Sequence, residues 1–250
     1  MWDRKGLKAR AKDVLRTSYW KAFLMSLIIA FVGGSGGGGS INFNYNFGDF
    51  PSSFMPSKWD GDGIAFIFII ILILIFLVVI LFALAFRIFL GFPLEVGGRR
   101  YFVQAAQDDV NMNYLGYAFS KAKYLDIIKA MLWRGFLLFL WFLLLIIPGI
   151  IKTYAYSLVP YILADNPNIG YKRAVELSKH MTAGQKFDMF VLDLSFLGWY
   201  LLGFIAFFVG VLFVMPYDNA TKAELYLALR RNALDQGICS YEELRLDRVV

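Results

Sequence analysis

Residues 64–86 read Ile-Ala-Phe-Ile-Phe-Ile-Ile-Ile-Leu-Ile-Leu-Ile-Phe-Leu-Val-Val-Ile-Leu-Phe-Ala-Leu-Ala-Phe, a run without one polar side chain. As an α-helix rising about 1.5 Å per residue it is roughly 35 Å long, enough to cross a hydrocarbon core of about 30 Å with some tilt. Every face of that helix is equally apolar, so water offers it no stable place. In lipid its side chains meet an apolar solvent and the helix satisfies its own backbone groups. The stretch therefore predicts an integral membrane protein with 64–92 as its longest membrane segment, and Arg87 snorkels to the inner surface about one turn before Pro93.

The rest of the chain agrees in composition. Of its 250 residues 59% are hydrophobic and mean hydropathy is +0.58, above the apolar share of an ordinary globular domain. Net charge is +6, with the basic residues beside apolar segments, which suits an anionic inner leaflet and not nucleic acid. One cysteine, Cys239, and one histidine, His180, make neither a disulfide nor a zinc site. With no His-Glu-x-x-His and no Gly-x-Ser-x-Gly, neither an enzyme nor a metal or other cofactor is expected.

Toward the N-terminus, residues 1–18 carry Arg4, Lys5, Lys8, Arg10, Lys12 and Arg16, while Leu7, Ala11, Val14 and Leu15 recur at helical spacing. That pattern is a basic amphipathic helix able to lie in the headgroup layer. Tyr19 and Trp20 then open a second membrane segment, 19–33. A cleaved signal peptide fits less well, given Asp3, Asp13 and the lack of an Ala-x-Ala site. Residues 33–63 begin Gly-Gly-Ser-Gly-Gly-Gly-Gly-Ser and hold Lys58 against Asp49, Asp60 and Asp62, so they form an outer Gly-rich loop.

Toward the C-terminus, Glu95 to Lys129 carries Arg99, Arg100, Lys121 and Lys123 and reads as a cytoplasmic helical connection. The apolar stretch from Ile127 to Ala164 is too long for one crossing, and Pro148-Gly149 divides it into segments 127–147 and 150–164. Asp165-Asn166-Pro167 starts a surface helix with Tyr171, Ala174, Val175, Ser178 and Met181 on one face. Lys172, Arg173, Lys179 and His180 point away from it, and Lys172 and Arg173 join the N-terminal cations as candidate lipid-surface residues. One crossing over 187–217 would place Lys222, Arg230 and Arg231 outside, so a turn near Gly203 separates segments 187–202 and 204–217. Residues 218–250 form a cytoplasmic tail with a polar helix from Asn219 to Gln236 and a capping box at Ser240. The resulting fold class is all-α, about six transmembrane helices in hairpins with amphipathic cytoplasmic helices between them and both termini inside. Of 25 Lys and Arg, only Lys58 and Lys152 then fall outside. The units look like three repeats of a surface helix feeding an apolar hairpin.

Two charges lie inside membrane segments. Asp193 is seven residues past Lys186, roughly 10 Å in, and Arg134 is at a comparable depth past Lys129. An intramembrane carboxylate is costly unless paired, hydrated or protonated, so the two are expected to form an ion pair: a structural clamp, or a proton or ion relay, with independent snorkelling as the other reading. Gly198, Gly203 and Ala206 are expected at helix contacts.

Leu7-Lys8-Ala9-Arg10-Ala11-Lys12 with Tyr19-Trp20, the Leu-Leu-Ile-Ile-Pro-Gly-Ile-Ile-Lys run at 144–152, Ile162 to Pro167, Leu192 to Trp199 and Pro216-Tyr217 together resemble a bacterial integral-membrane family known as domain of unknown function 975. The resemblance implies a multi-span protein of the bacterial plasma membrane and brings no activity, substrate or catalytic residue. The expectation is a non-enzymatic accessory or scaffold that engages anionic lipid or a membrane partner through its basic inner face. The alternative is a small transporter or channel using Asp193 and the Gly/Pro-broken hairpins.

Overall fold

A computed structural model describes residues 2–33, 62–205 and 209–246, and these residues are helical, with no β-strand among them. The Gly-rich loop, Lys58 and Ala206 lie outside the described residues.

Helix α1 spans Arg4 to Gly33 in two helical halves that meet at a kink, where Ser18 leaves helical geometry (φ −132°, ψ 22°). The Asp3 carboxylate caps its start by accepting the Gly6 N–H at 3.1 Å. At the bend the Ser18 hydroxyl donates to the Val14 carbonyl at 2.8 Å, a back-bond that commonly bends helices. Leu7, Ala11, Leu15, Ser18, Ala22, Met25 and Ile29 are all buried, a single stripe at three- and four-residue spacing. The expected division between a helix over 1–18 and a segment over 19–33 thus falls at the kink, and both halves add to the buried stripe. That stripe faces α3 and α9, not a headgroup layer.

Helix α2 (Asp62–Phe86) covers the opening stretch, followed by a π-helical turn at Arg87–Gly91 and α3 (Phe92–Ala105). Pro93 has no N–H to give, and the wider turn before it accommodates the lost bond without ending the helix. From Ile67 to Phe86, 18 large apolar side chains are exposed. At roughly −0.3 to −0.6 kcal/mol each for a membrane interior, they favour insertion by about 5–10 kcal/mol.

The first part of the segment expected to be a polar cytoplasmic connection packs into the core instead, while residues 106–126 are mostly exposed or half-buried. In α3, Glu95, Val96, Arg99, Tyr101, Phe102 and Val103 are at most 4% exposed. Gly97 and Gly98 make this possible by close approach on two sides. A Cβ on Gly97 would stand 2.6 Å from the Leu115 carbonyl oxygen, and one on Gly98 would stand 2.5 Å from Ile29. The Leu115 contact comes from a 3₁₀ segment, Met112–Phe119.

Helix α4 (Lys121–Leu144) and α5 (Ile146–Ala155) pack together across an extended Leu145 (φ −162°, ψ 148°). The break therefore falls at Leu145 and not at Pro148-Gly149, because proline is tolerated in the first turn of α5, where N–H groups have no helical partner. A turn at Tyr156 separates α5 from α6 (Val159–Asp165). Helix α7 (Tyr171–Met181) buries Ala174, Val175, Ser178 and Met181 as their spacing predicts, and Leu177 with them. That face meets α4, α6 and α9.

Helix α8 (Lys186–Ile205) packs on α9 (Val209–Asp235), which continues through Pro216. Gly203 meets Gly210 backbone to backbone, whereas nothing lies within 4 Å of the Cβ position of Gly198. Gly203 is therefore a helix contact as expected and Gly198 is not. The tail helix is a correction of greater consequence. Ala220, Ala223, Tyr226 and Leu229 are at most 3% exposed, so the second half of α9 is the centre of the fold, against α1 and α3. Among the described residues four stretches are long and apolar enough to cross a membrane: Ile67–Ala105, Lys121–Leu144, Ile146–Asp165 and Lys186–Ile205.

Candidate functional site

Charged side chains converge where α3, α4, α8 and α9 meet. Glu95 and Arg99 are four residues apart on α3, on one face of the helix. Glu95 lies 3.9 Å from the Arg134 guanidinium of α4, with both side chains under 10% exposed. Arg99 donates to Asn219 at 2.7 Å and to the Tyr161 hydroxyl at 3.1 Å, and Asn219 in turn donates to the Ser26 hydroxyl of α1 at 2.9 Å. Two elements distant in sequence thus close on the Arg99 guanidinium, and α1 joins them through Asn219.

Next to it, Lys222 lies between two carboxylates, 3.0 Å from Asp218 and 3.3 Å from Asp193. Asp218 and Lys222 stand four apart on α9, so one helical turn sets the first pair, and α8 supplies Asp193 across the α8–α9 contact. Tyr154 of α5 donates to Asp193 and Tyr200 of α8 donates to Asp218, each at 3.1 Å. Arg99 lies within the fields of both Glu95 and Asp218, which makes the cluster continuous. It holds Glu95, Asp193 and Asp218 against Arg99, Arg134 and Lys222, a balance of charge. Buried ions are tolerated when paired and hydrogen-bonded and expensive otherwise.

A second cluster adjoins the first through stacked rings. Tyr161 and Tyr226 lie 5.3 Å apart between centroids, and Asp165 accepts from Tyr226 at 2.6 Å and from Arg230 at 2.7 Å. Asp165 was expected only to start a surface helix; it is buried at the end of α6. Among the described residues no group of three or more His, Cys, Asp or Glu is arranged to hold a metal ion.

Residues 63–233 match a family model described as Protein of unknown function (DUF975). The chain belongs to that family. Comparison with curated proteins and with solved structures finds no match. The DUF975 match spans α2 to α9 almost entire, so both charge clusters, Ser26 apart, fall within the family's part of the chain.

In this DUF975 chain the expected Arg134–Asp193 pair is not formed. Arg134 meets Glu95, and Asp193 meets Lys222 and Tyr154. The cause is that α3 and the part of α9 beyond Tyr217, both expected outside the membrane segments, enter the core and bring nearer partners to each charge. Of the N-terminal cations, Lys8 donates to Ser195 at 2.8 Å over the Phe196 ring, Arg10 pairs with Glu224 at 2.9 Å, and Lys12 lies 5.8 Å from the Tyr217 ring centroid. Arg4, Lys5 and Arg16 are exposed. Lys172 is exposed too, but Arg173 docks the C-terminal segment, binding Glu243 at 2.6 Å and the Ile238 carbonyl at 3.0 Å. Its bond to Glu243 pushes the guanidinium above its usual range.

Sequence reasoning missed Glu95, Arg99, Asp218, Lys222, Tyr226 and Arg230. One signal was present: Ala220, Ala223, Tyr226, Leu229 and Ala233 repeat every three or four residues, an apolar stripe that places a core face on α9.

Proposed function

We propose that the chain is a six-crossing protein of the bacterial plasma membrane, both termini cytoplasmic, serving as a non-enzymatic accessory or scaffold. The observation that carries the reading is the state of Asp193. Its carboxylate is met by Lys222 and Tyr154 inside a charge-balanced cluster, which suits a clamp between α5, α8 and α9. A relay would want a carboxylate able to change partners, and this one is held from two sides. Helix α2, whose 0% burial leaves its whole circumference to lipid or a partner, supports the membrane part. Arg4, Lys5, Arg16 and Lys172 remain at the surface for an anionic leaflet.

Two experiments test this. Proteoliposomes should show no proton or ion flux that Asp193→Asn abolishes; such a flux would establish the transporter reading instead. Cysteines introduced at Leu145 and Ile205 in a Cys239→Ser background should label from outside intact cells, and a cysteine at Lys172 should not. Labelling in the reverse sense refutes the topology.

A further inference from the structure

We propose that Arg100 and Lys123, both against the Tyr117 ring, with the charge of Arg245 nearby, bind a phosphate group, carried by an anionic lipid headgroup or free in solution. The Arg100 guanidinium lies 3.8 Å from the Tyr117 ring centroid and the Lys123 ammonium 3.7 Å, so the two charges are no further apart than the sum of those distances. Burial pushes the Tyr117 phenol above its ordinary range while the charges of Arg100 and then Arg245 oppose that shift, so Arg245 is near enough to act on the ring electrostatically. The fields of Arg100 and Arg245 also meet at Lys123.

Such a gathering is repulsive, and the neighbouring carboxylates do not relieve it. Asp165 is bound by Arg230 and Tyr226, Asp109 accepts the Tyr114 hydroxyl, and Asp126 accepts the Asn168 amide at 2.9 Å. Among the described residues no carboxylate comes within ion-pair distance of Arg100, Lys123 or Arg245. Face-on contact with Tyr117 offsets part of the cost but neutralises nothing.

The donors are also set for an acceptor. Arg100 is held in place by donating Nη1 to the Ala164 carbonyl. Lys123 sits in the first turn of α4, where the Ser120 side chain makes no capping bond and no acidic residue is present. That helix start favours an anion on its own account. Phosphate matches the donors better than a carboxylate does, since its oxygens diverge toward a guanidinium and an ammonium together. The lipid form of this ligand rests on the membrane reading above; the phosphate chemistry does not.

The test uses the full chain purified in a neutral detergent. Native mass spectrometry counts retained phosphatidic acid against phosphatidylcholine, and a thermal-shift titration with inorganic phosphate runs beside it. The wild type should bind phosphatidic acid in preference to phosphatidylcholine, and Arg100→Gln/Lys123→Gln should weaken that binding by about tenfold or more, whereas Lys123→Arg keeps it within about threefold. Should the double variant not fold, Arg245→Gln at an exposed side chain is expected to weaken binding about threefold. Competition by inorganic phosphate at millimolar concentration assigns the site to the free ion, and its failure to compete assigns it to the lipid. Equal binding by wild type and variants, or binding of neither probe by the wild type, overturns the proposal. Liposome flotation that ignores anionic lipid content, with the phosphatidic acid adduct intact, would overturn the broader basic-face reading and leave this site standing.

Discussion

Replacing Lys222 with methionine keeps the length of the side chain and removes the charge between Asp193 and Asp218. At 3.3 and 3.0 Å, each attraction is worth about 5 kcal/mol at an effective dielectric of 20. The methionine recovers several kcal/mol because an ammonium no longer has to be desolvated in a site where it is only 14% exposed. What remains is the penalty of two unneutralised carboxylates, and breaking a buried pair from one side costs about 3–5 kcal/mol. Tyr154 and Tyr200 still donate to them, so the lower half of that range is expected. Asp218→Asn alone leaves Lys222 with Asp193 and should cost about 1–2 kcal/mol. In the double variant the surviving Asp193 is 24% exposed and keeps Tyr154, so the loss should fall short of the summed single losses by at least about 1.5 kcal/mol. Equilibrium unfolding in mixed micelles, followed by tryptophan fluorescence and far-ultraviolet circular dichroism, measures all three. Additive losses, or a Lys222→Met loss below about 1 kcal/mol, would refute the claim that one lysine neutralises both acids.

Three other perturbations probe separate parts of the fold. Ile75→Lys puts a charge at the middle of α2, where the side chain is 54% exposed; it should raise the cost of insertion by about 3–4 kcal/mol and lower the carbonate-resistant membrane fraction, whereas an unchanged fraction would show that α2 does not cross. Gly203→Val sets a Cβ 2.6 Å from the Val211 backbone nitrogen and should destabilise the α8–α9 contact strongly in a detergent melt, while Gly198→Ala, with open space around it, should be neutral; equal melting temperatures would refute the close approach. Burial pushes the Cys239 thiol from 9.0 up to about 11, which leaves about one-hundredth of the usual thiolate at pH 8, so iodoacetamide should alkylate the native protein about a hundredfold more slowly than the unfolded chain, as read by mass spectrometry. Because the folded thiol titrates higher than the unfolded one, its stabilising contribution is complete below about pH 9 and is lost as pH rises through about 11.

The helical class was legible from residues 64–86 alone, because a run with no polar side chain and the length of a bilayer has one good solvent. The same reasoning failed at α3. Gly97-Gly98-Arg99-Arg100 carries the composition of a surface connector, and burying it depends on partners a single sequence cannot announce: Tyr161 is 62 positions from Arg99, and Asn219 is 120. Charge was read as a mark of exposure when here it marks pairing. The basic face of α1 erred in the same way in part, for Lys8 and Arg10 spend their charge on Ser195 and Glu224 while Arg4 and Lys5 remain outside.

Charge balance also bears on how short membrane helices can be. Past Asp193, α8 offers Leu194 to Ile205, about 18 Å of apolar rise, and past Arg134, α4 offers Gly135 to Leu144, about 15 Å. A hydrocarbon core is about 30 Å deep, so in the proposed topology a hairpin tip at the outer surface would draw Asp193 and Arg134 into the core with it. An unpaired charge there would hold its helix back toward the inner surface. Glu95, Asp218, Lys222 and Arg99 remove that restraint, because a cluster of zero net charge with tyrosine donors demands far less water than any one of its members. In the proposed topology the polar core and the short hairpins are thus one arrangement. Helix α2, with no charge between Ile67 and Phe86, is long enough to cross on its apolar length alone.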